Sequence, residues 1–203
     1  MKDKYIEIMG IKIRYKAANT EVGRNVVFLH GMAFNADTWD NLGTLDLVAK
    51  EGFSVYAIDM PGFGKSGGKR LPRKAATEFL KKILDNLRID KCVLVGPSMG
   101  GGIALSFAIK YIERILGLIL IAPAGLNDPL ITNNLHKINA PTLIFWGEND
   151  SVFPVSMGKE LKDKIANSRF VLCSKARHPC YLDTPDIFHK NVLEFLRSIF
   201  RGK

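Results

Sequence analysis

A serine between two glycines in the stretch 96–100 has the pattern Gly-x-Ser-x-Gly. It follows the β-branched run 91–95, which is typical of a buried strand, and precedes the small, apolar run 101–108, which is typical of a helix packed closely on a sheet. A sharp turn between strand and helix holds such a serine in a strained backbone conformation, with its hydroxyl above the sheet. Side chains at the flanking positions would clash in so tight a turn, which favours glycine at both. The pattern predicts a nucleophilic Ser98, and such a serine needs a base and an orienting carboxylate.

Four histidines are candidates for the base. His178 lies in a loop after the last predicted strand, from which an imidazole can reach over the end of a sheet, and we assign it the role of base. His30 closes a strand before a glycine turn and is predicted to be structural, packed under the loop. His136 in the middle connection and His189 on the last helix are predicted to be solvated or capping residues.

The carboxylate that orients the base is predicted to be Asp150, which follows a strand through a Gly-x-x-Asp turn. Glu148, two residues earlier in the chain, is its nearest rival. Asp183 and Asp186 follow the histidine too closely and are predicted to cap the last helix. Asp59 ends an earlier strand and is predicted to hold the turn that follows it.

Acyl transfer through a serine also requires two backbone N–H donors for the oxyanion. Met99, directly after the serine, is predicted to supply one of them. The loop after His30 is predicted to supply the other, from Met32 or alternatively from Ala33. Apolar residues near these loops are predicted to form the rim of a substrate cleft, with ordinary core positions as the alternative for each. They are Met32, Phe34, Trp39, Phe63, Met99, Leu126 and Phe153.

The elements that must position these residues alternate between strands and helices. The pattern predicts a doubly wound, mostly parallel α/β sheet with helices on both faces, in which the functional residues lie at the carboxyl ends of the strands. After a β-hairpin in residues 5–15, strands are predicted at 25–29, 53–58, 91–95, 115–121, 142–146 and 169–173, and helices at 39–51, 72–87, 99–111, 155–165 and 185–200.

The chain is predicted to form a single domain over residues 1–203, which suits one hydrophobic core. The connection 123–140 is too short to fold as a helical cap over the sheet. Ser98 is therefore expected to face an open, shallow cleft, which suits small or flexible acyl groups.

Composition excludes several classes of function. The net charge is +9, but the cations are spread along the chain without interleaved aromatic residues. Nucleic-acid binding is therefore not predicted, although the positive charge could steer anionic substrates. The longest apolar run, 115–126, is too short to span a bilayer, and the charged N-terminus resembles no secretory signal, so we expect a soluble cytoplasmic protein. The three cysteines lack metal-ligand spacing and indicate a reducing compartment.

The segment 62–67 matches the glycine pattern Gly-x-Gly-x-x-Gly and contains Gly-Lys-Ser. A dinucleotide-binding turn should open a helix, whereas this segment runs on into further loop residues. A phosphate-binding loop would need glycine where Asp59 stands. Nucleotide binding is therefore not predicted here.

Together these motifs resemble the α/β-hydrolase family over essentially the whole chain, and nucleophile, acid and base follow one another in the order of that family. More narrowly, segments 30–45 and 178–183, with Pro97 before the serine, resemble the small lidless CIB-type hydrolases, first described as a transcription-factor-IID-interacting factor. Most members of the wider family have a polar residue at the position of Pro97. The motifs that carry the wider resemblance are the turn 30–31, the segment 59–66, the Gly-x-Ser-x-Gly turn, the turn 147–150 and the late His178.

The resemblance implies esterase-like or acyl-transfer activity on small acyl groups. We therefore predict a serine hydrolase of the carboxylesterase type that forms an acyl-enzyme on Ser98, acts on a small-molecule acyl substrate without cofactor or metal, and is a monomer or weak dimer. Two alternatives remain. One is an acyltransferase or deacylase with a thiol or amine acceptor, and the other is a non-catalytic module that binds a protein partner through a hydrolase scaffold.

Overall fold

The computed structural model describes residues 1–21 and 23–200 of the 203-residue chain. Its centre is a sheet of eight strands. The strands are β1 (Asp3–Ile8), β2 (Ile11–Ala18), β3 (Asn25–Phe28), β4 (Ser54–Ile58), β5 (Cys92–Pro97), β6 (Ile115–Ile121), β7 (Thr142–Gly147) and β8 (Ser168–Cys173).

Across the sheet the strands lie in the order β1-β2-β4-β3-β5-β6-β7-β8. β2 runs antiparallel to both β1 and β4, and the other neighbours are parallel. The hairpin of β1 and β2 pairs Asp3 with Lys16 at one end and Ile8 with Ile11 at the other. The predicted mostly parallel sheet with an opening antiparallel hairpin is confirmed.

Eight α-helices connect the strands within the described residues. The helix predicted at 39–51 is divided, because Gly43 adopts a φ of 75°, a left-handed conformation that interrupts a right-handed helix. The helices are α1 (Ala36–Asn41), α2 (Thr44–Lys50), α3 (Arg73–Asn86), α4 (Ser98–Lys110), α5 (Pro129–Thr132), α6 (Val155–Lys164), α7 (Cys180–Asp183) and α8 (Pro185–Phe200).

Alternate residues of the buried strands point into two separate cores, as the period of a strand requires. In β3, Val27 faces the core that α3, α4 and α6 cover, whereas Val26 and Phe28 face the core that α1, α2 and α8 cover. The prediction of helices on both faces is thereby confirmed.

Trp39 lies in the second of these cores. Its side chain is fully buried, its indole N–H donates to the carbonyl oxygen of Leu29 at 3.1 Å, and its ring packs on Phe28, Tyr181 and Phe188. The predicted place of Trp39 on the substrate rim is therefore wrong and the core alternative holds, because α1 packs the indole against the sheet and α8.

The connection between β6 and β7 contains only α5 and a 3₁₀ turn at Leu135–Lys137. No helical cap is inserted there, as the length of the connection predicted, so this connection does not cover the carboxyl ends of the strands. Within the described ranges, no helix is long and apolar enough to cross a membrane.

Candidate active site

Ser98 lies at the junction of β5 and α4, where its backbone φ of 47° is in the left-handed region. The turn is tight enough to require glycine on both sides. A Cβ on Gly96 would lie 2.5 Å from the backbone of Gly100, and one on Gly100 would lie 2.7 Å from the carbonyl oxygen of His30. The strand–turn–helix conformation predicted from the sequence is present, with a strained serine at its centre.

The turn also places Ser98 at the N-terminal end of α4, where the first N–H groups have no partner within the helix. The N–H of Met99 belongs to this first turn. The partial positive charge of a helix N-terminus favours negative charge that develops next to it. This environment suits the predicted oxyanion donor.

The proposed base and acid are in direct contact. The Nδ1 atom of His178 lies 2.8 Å from Oδ2 of Asp150, whose side chain is fully buried. The other carboxylate oxygen accepts hydrogen bonds from the N–H groups of Val152, at 2.8 Å, and Phe153, at 2.9 Å. Because a carboxylate only accepts, Nδ1 of His178 carries the proton, and Nε2 is left as the acceptor. The aromatic ring of Phe153 meets the imidazole edge-on at 5.2 Å.

Strand order sets the spacing between this pair and the serine. β6 lies between β5 and β7, with Pro97 level with Ile121 and Ile121 level with Phe145. Two strand spacings separate the ends of β5 and β7 by about 9–10 Å, a gap that an imidazole between Ser98 and Asp150 can bridge. In the part of the chain that the structure describes, the serine hydroxyl makes no hydrogen bond. Histidine and aspartate are thus joined, while contact of the serine with the histidine remains a prediction.

Glu148, the rival acid, has a different role. Its Oε2 accepts from the hydroxyl of Ser174 and from the N–H of Lys175, both at 2.8 Å. These bonds hold the turn that begins the loop of the proposed base, and they lower the pKa of Glu148. Among the described residues, His178 pairs with Asp150 and makes no hydrogen bond with Glu148, so the choice of Asp150 over Glu148 agrees with the geometry.

The predicted helix-capping role of Asp183 is wrong. Its carboxylate instead accepts from the backbone N–H of Arg177 at 2.8 Å and pairs with the guanidinium of the same residue at 2.7 and 3.1 Å. The guanidinium holds the pKa of Asp183 below its usual range. A carboxylate six residues after Arg177 folds back onto it because α7 turns the chain between them.

His30 is structural, as predicted. It is 1% exposed, its Nδ1 lies 2.8 Å from the carbonyl oxygen of Gly31, and its Nε2 accepts from the N–H of Met60 at 3.1 Å. Burial lowers the pKa of His30, which favours the neutral ring. His189 was predicted to be solvated or capping. It is half-buried and bonds to the hydroxyl of Thr44, the first residue of α2, at 2.9 Å, so the solvated alternative does not hold.

The loop after His30 lies beside the serine turn. A Cβ on Gly31 would be 3.9 Å from the carbonyl oxygen of Pro97, so the two backbones are close. The N–H groups of Met32 and Ala33 follow in this loop, and the choice between them remains open. The side chain of Met32 is 61% exposed, so it does not pack into either core.

Asp59 fixes the far end of this loop. It is fully buried and accepts from the N–H of Ala36 at 2.7 Å and from that of Lys65 at 2.8 Å. The predicted role in holding its own turn is confirmed, and the bond to Ala36 adds an anchor for the start of α1. Through Asp59, the segment after β4 supports the segment that carries the second proposed oxyanion donor.

A cluster of ion pairs surrounds Asp59. The fully buried guanidinium of Arg14 contacts Asp3, Asp37 and Asp59. The ammonium of Lys65 and the guanidinium of Arg14 hold the pKa of Asp3 well below its usual range. Burial alone would raise the pKa of Asp37, but hydrogen bonds from Arg14 and Lys16 outweigh it and lower the pKa. The sequence offered no signal for this cluster, since its members lie on four separate segments.

The remaining rim residues differ in exposure. Phe63 is only 8% exposed, packs on the ring of His30 at 5.0 Å and lies under the guanidinium of Arg70 at 4.5 Å, so the core alternative holds for it. Phe34 and Phe153 are half-buried and stay candidates for substrate contact, as do Met99 and Leu126. A cavity of about 210 Å³ between α3, α4 and α5 includes none of the proposed catalytic residues.

No cluster of three or more metal-ligating side chains occurs within residues 1–21 and 23–200. The chain places a serine, an imidazole and a buried carboxylate in the turns that follow β5, β8 and β7. This set can carry out nucleophilic acyl transfer.

Comparison with known proteins gives consistent relatives. A family model described as the alpha/beta hydrolase fold matches residues 24–136. Rat ABHD14B, named as a candidate protein-lysine deacylase, is 33% identical over 202 residues, covering 96% of this chain and 95% of that protein. Zebrafish ABHD14A is 36% identical over 176 residues, covering 86% of this chain and 64% of that protein. The chain thus spans less than two thirds of this second relative.

Solved structures agree with these relatives. The crystal structure of a protein from Thermoplasma acidophilum, described as a predicted CIB-like hydrolase, has a TM-score of 0.92 at 29% identity, covering 97% of this chain and 98% of that one. An esterase from Thermogutta terrifontis shares the fold with a TM-score of 0.81 at 21% identity, covering 98% of this chain and 99% of that one.

Proposed function

Because the chain belongs to the alpha/beta hydrolase family, we propose that it is a serine hydrolase that forms an acyl-enzyme on Ser98. His178 is the base, and Asp150 is the carboxylate that orients it. The observation that carries the proposal is the 2.8 Å contact between His178 and a buried Asp150, two strands away from a serine with a φ of 47°. Ser98, Asp150 and His178 lie on separate segments, each shortly after the carboxyl end of a strand.

The reaction begins when Ser98 attacks the carbonyl carbon of an acyl substrate and passes its proton to Nε2 of His178. Asp150 holds the proton on Nδ1 and stabilises the imidazolium. The N–H groups of Met99 and of Met32 or Ala33 donate to the oxyanion, each of them contributing about 10²–10³-fold to the rate. His178 then returns its proton to the leaving group, and water activated in the same way releases the acyl group.

The open approach to the serine supports small or flexible acyl groups. The connection between β6 and β7 adds no cap, and Met32 is largely exposed beside the serine turn. Esters of short carboxylic acids are the simplest substrates that fit these features, and a thiol or amine could replace water as the acceptor.

A deacylase is the second candidate, and the name of the rat relative favours it. An acylated lysine presents the same kind of carbonyl carbon at the end of a long, flexible side chain. From the surface of another protein, such a side chain could reach an open cleft. The steps on Ser98 would be the same, with the lysine amine as the leaving group in place of an alcohol.

A fluorophosphonate probe and p-nitrophenyl acetate test the proposal together. We expect the native protein to be labelled and to hydrolyse the ester, and Ser98→Ala to lose both. His178→Ala should lower kcat by about 10³-fold or more, while its matched control His189→Ala should stay near the native rate. An acetyl-lysine peptide, followed by mass spectrometry, then distinguishes the esterase from the deacylase.

Labelling that persists in Ser98→Ala would refute the proposal. A native protein that neither labels nor hydrolyses ester or peptide would instead support the non-catalytic binding module. Equal losses in His178→Ala and His189→Ala would show that the assignment of the base is wrong.

A further inference from the structure

The loop that carries the proposed base is held by two carboxylates that the reaction itself does not use. Glu148 accepts from Ser174 and Lys175 at the start of the loop. Asp183 accepts from the backbone N–H of Arg177, at 2.8 Å, directly before His178. The carbonyl oxygen of Ala176 adds a fourth bond, from the N–H of Asn149 at 2.8 Å.

We propose that Asp183 is a positioning residue for His178, an inference that rests on the proposed function. Asp150 fixes the ring of His178 through one hydrogen bond. The direction in which that ring leaves the backbone depends on the backbone conformation of Arg177, the preceding residue, and Asp183 holds the N–H of Arg177. Without this bond, the imidazole could keep its contact with Asp150 and still miss the serine hydroxyl.

Asp183 is itself well placed to act as an anchor. It ends α7, whose residues Cys180 and Tyr181 are fully buried, so the helix cannot move without disturbing the core. The carboxylate is only 19% exposed, whereas the side chain of Arg177 is 74% exposed. The carboxylate of Asp183 is thus held against the protein by α7, whereas the guanidinium of Arg177 is largely in solvent.

The two kinds of bond to Asp183 should differ in importance. An ion pair with so exposed an arginine contributes little, because solvent screens it. A hydrogen bond from a backbone N–H to a charged, mostly buried carboxylate is stronger and directional. We therefore assign the positioning effect to the backbone bond, and the side chain of Arg177 has a minor share.

A purely structural role for Asp183 makes a different prediction. Loss of a stabilising contact would lower the amount of folded protein and the midpoint of thermal unfolding, but each folded molecule would keep its kcat. A positioning role lowers kcat in protein that is fully folded, and it should leave the KM of a small ester unchanged, because the carboxylate of Asp183 is occupied by Arg177 and is not one of the proposed substrate contacts.

The experiment compares Asp183→Ala, Asp183→Asn and Arg177→Ala with Asp186→Ala, a control that removes an exposed carboxylate from the first turn of α8. We measure kcat and KM for p-nitrophenyl acetate, the rate of fluorophosphonate labelling and thermal unfolding. Misplacement of a catalytic group by about 1 Å lowers rates by up to about 100-fold, so kcat of Asp183→Ala should fall about 10- to 100-fold, with KM within about twofold.

Asp183→Asn and Arg177→Ala separate the backbone hydrogen bond from the ion pair. Asp183→Asn keeps an oxygen that accepts from the N–H of Arg177, so it should recover most of the lost kcat, and Arg177→Ala should lose less than about threefold. The inference is overturned if folded Asp183→Ala keeps the native kcat. Should Asp183→Ala unfold, the inference is overturned if Arg177→Ala loses more kcat than Asp183→Asn. A native protein that the probe does not label would refute the proposed function instead.

Discussion

Strain at a single residue, Ser98, is a central feature of the proposed site. A non-glycine residue in the left-handed region costs about 1–3 kcal/mol, and the surrounding structure must hold it there. The close contact of Gly96 with Gly100, and of Gly100 with His30, leaves the turn no room to relax. The glycines are thus as necessary to the position of the hydroxyl as the serine itself.

A substitution at Gly100 tests this requirement. In Gly100→Ala, the new Cβ would lie 2.7 Å from the carbonyl oxygen of His30 and 2.9 Å from Cβ of Leu29, so the turn or the neighbouring strand must shift. We expect a fall of at least about tenfold in kcat/KM for p-nitrophenyl acetate and a loss of about 1–3 kcal/mol in unfolding free energy, the usual effect of overpacking.

Gly67→Ala is the matched control, because its Cβ would lie 3.6 Å from the nearest atom, at an ordinary contact distance. Activity and stability of this control should stay close to those of the native protein. A Gly100→Ala variant that behaves like Gly67→Ala would contradict the claim that the turn is closely packed.

At this scale, the sequence predicted which carboxylate lies against which histidine better than it predicted the exposure of aromatic side chains. Residue type and chain order were enough to choose Asp150 over Glu148 and His178 over the other histidines. They were not enough for Trp39, because whether an aromatic side chain faces a cleft or a core depends on the turn of α1 relative to the sheet. Asp183 was missed for a similar reason, since only the folded path of α7 brings it back to Arg177.

At the scale of elements, the site consists of loops that are fastened to one another as well as to the sheet. The acid turn after β7 bonds to the base loop after β8 through Glu148, Asn149 and Asp150. The loop after β3 bonds to the turn after β4 through Asp59. Hydrogen bonds between neighbouring loops keep the proposed catalytic groups in register without a cap.

The buried Arg14 makes the second of these connections sensitive to substitution. Arg14→Met would leave the fully buried Asp59 without its cationic partner. Loss of one member of a buried ion pair costs about 3–5 kcal/mol, since the remaining charge stays out of water. We expect a loss of this size in the unfolding free energy, measured by urea denaturation at neutral pH.

Lys12→Met is the control for that measurement, because Lys12 lies on the same strand with an exposed side chain over the ring of Tyr5. Its effect should remain within about 0.5 kcal/mol, as for most surface substitutions. If Arg14→Met were no less stable than Lys12→Met, the ion cluster would not support the loop as we describe.

The elements themselves were largely predictable, because buried parallel strands have short, continuous apolar runs rich in β-branched residues and bounded by turn residues. The exception is the break between α1 and α2. Gly43 within an otherwise helical pattern gave a weak signal, and its left-handed conformation separates two short helices that both contact β4. The ion cluster around Arg14 could not be predicted, since it depends on contacts between distant segments.

At the scale of the whole molecule, the open cleft and the net charge of +9 act together. Lys69, Arg70 and Lys175 lie in loops at the carboxyl ends of the strands and are exposed. Arg70 stacks on Phe63, and in the described part of the chain no carboxylate pairs with it. A positive potential over an uncovered site raises the local concentration of anionic substrates.

This field should be visible in the salt dependence of the reaction. At about 0.02 M ionic strength the screening length exceeds 20 Å, and at about 0.5 M it falls to roughly 4–5 Å. We expect kcat/KM for mono-p-nitrophenyl succinate, which carries a free carboxylate, to fall several-fold between these conditions. The neutral p-nitrophenyl acetate is the control, and its kcat/KM should change by less than about twofold.

Arg70→Met should reduce the salt dependence for the succinate ester and leave that for the acetate ester unaltered. Parallel responses of the two esters would mean that the positive charge does not reach the cleft, and that the basic surface serves another purpose than substrate attraction.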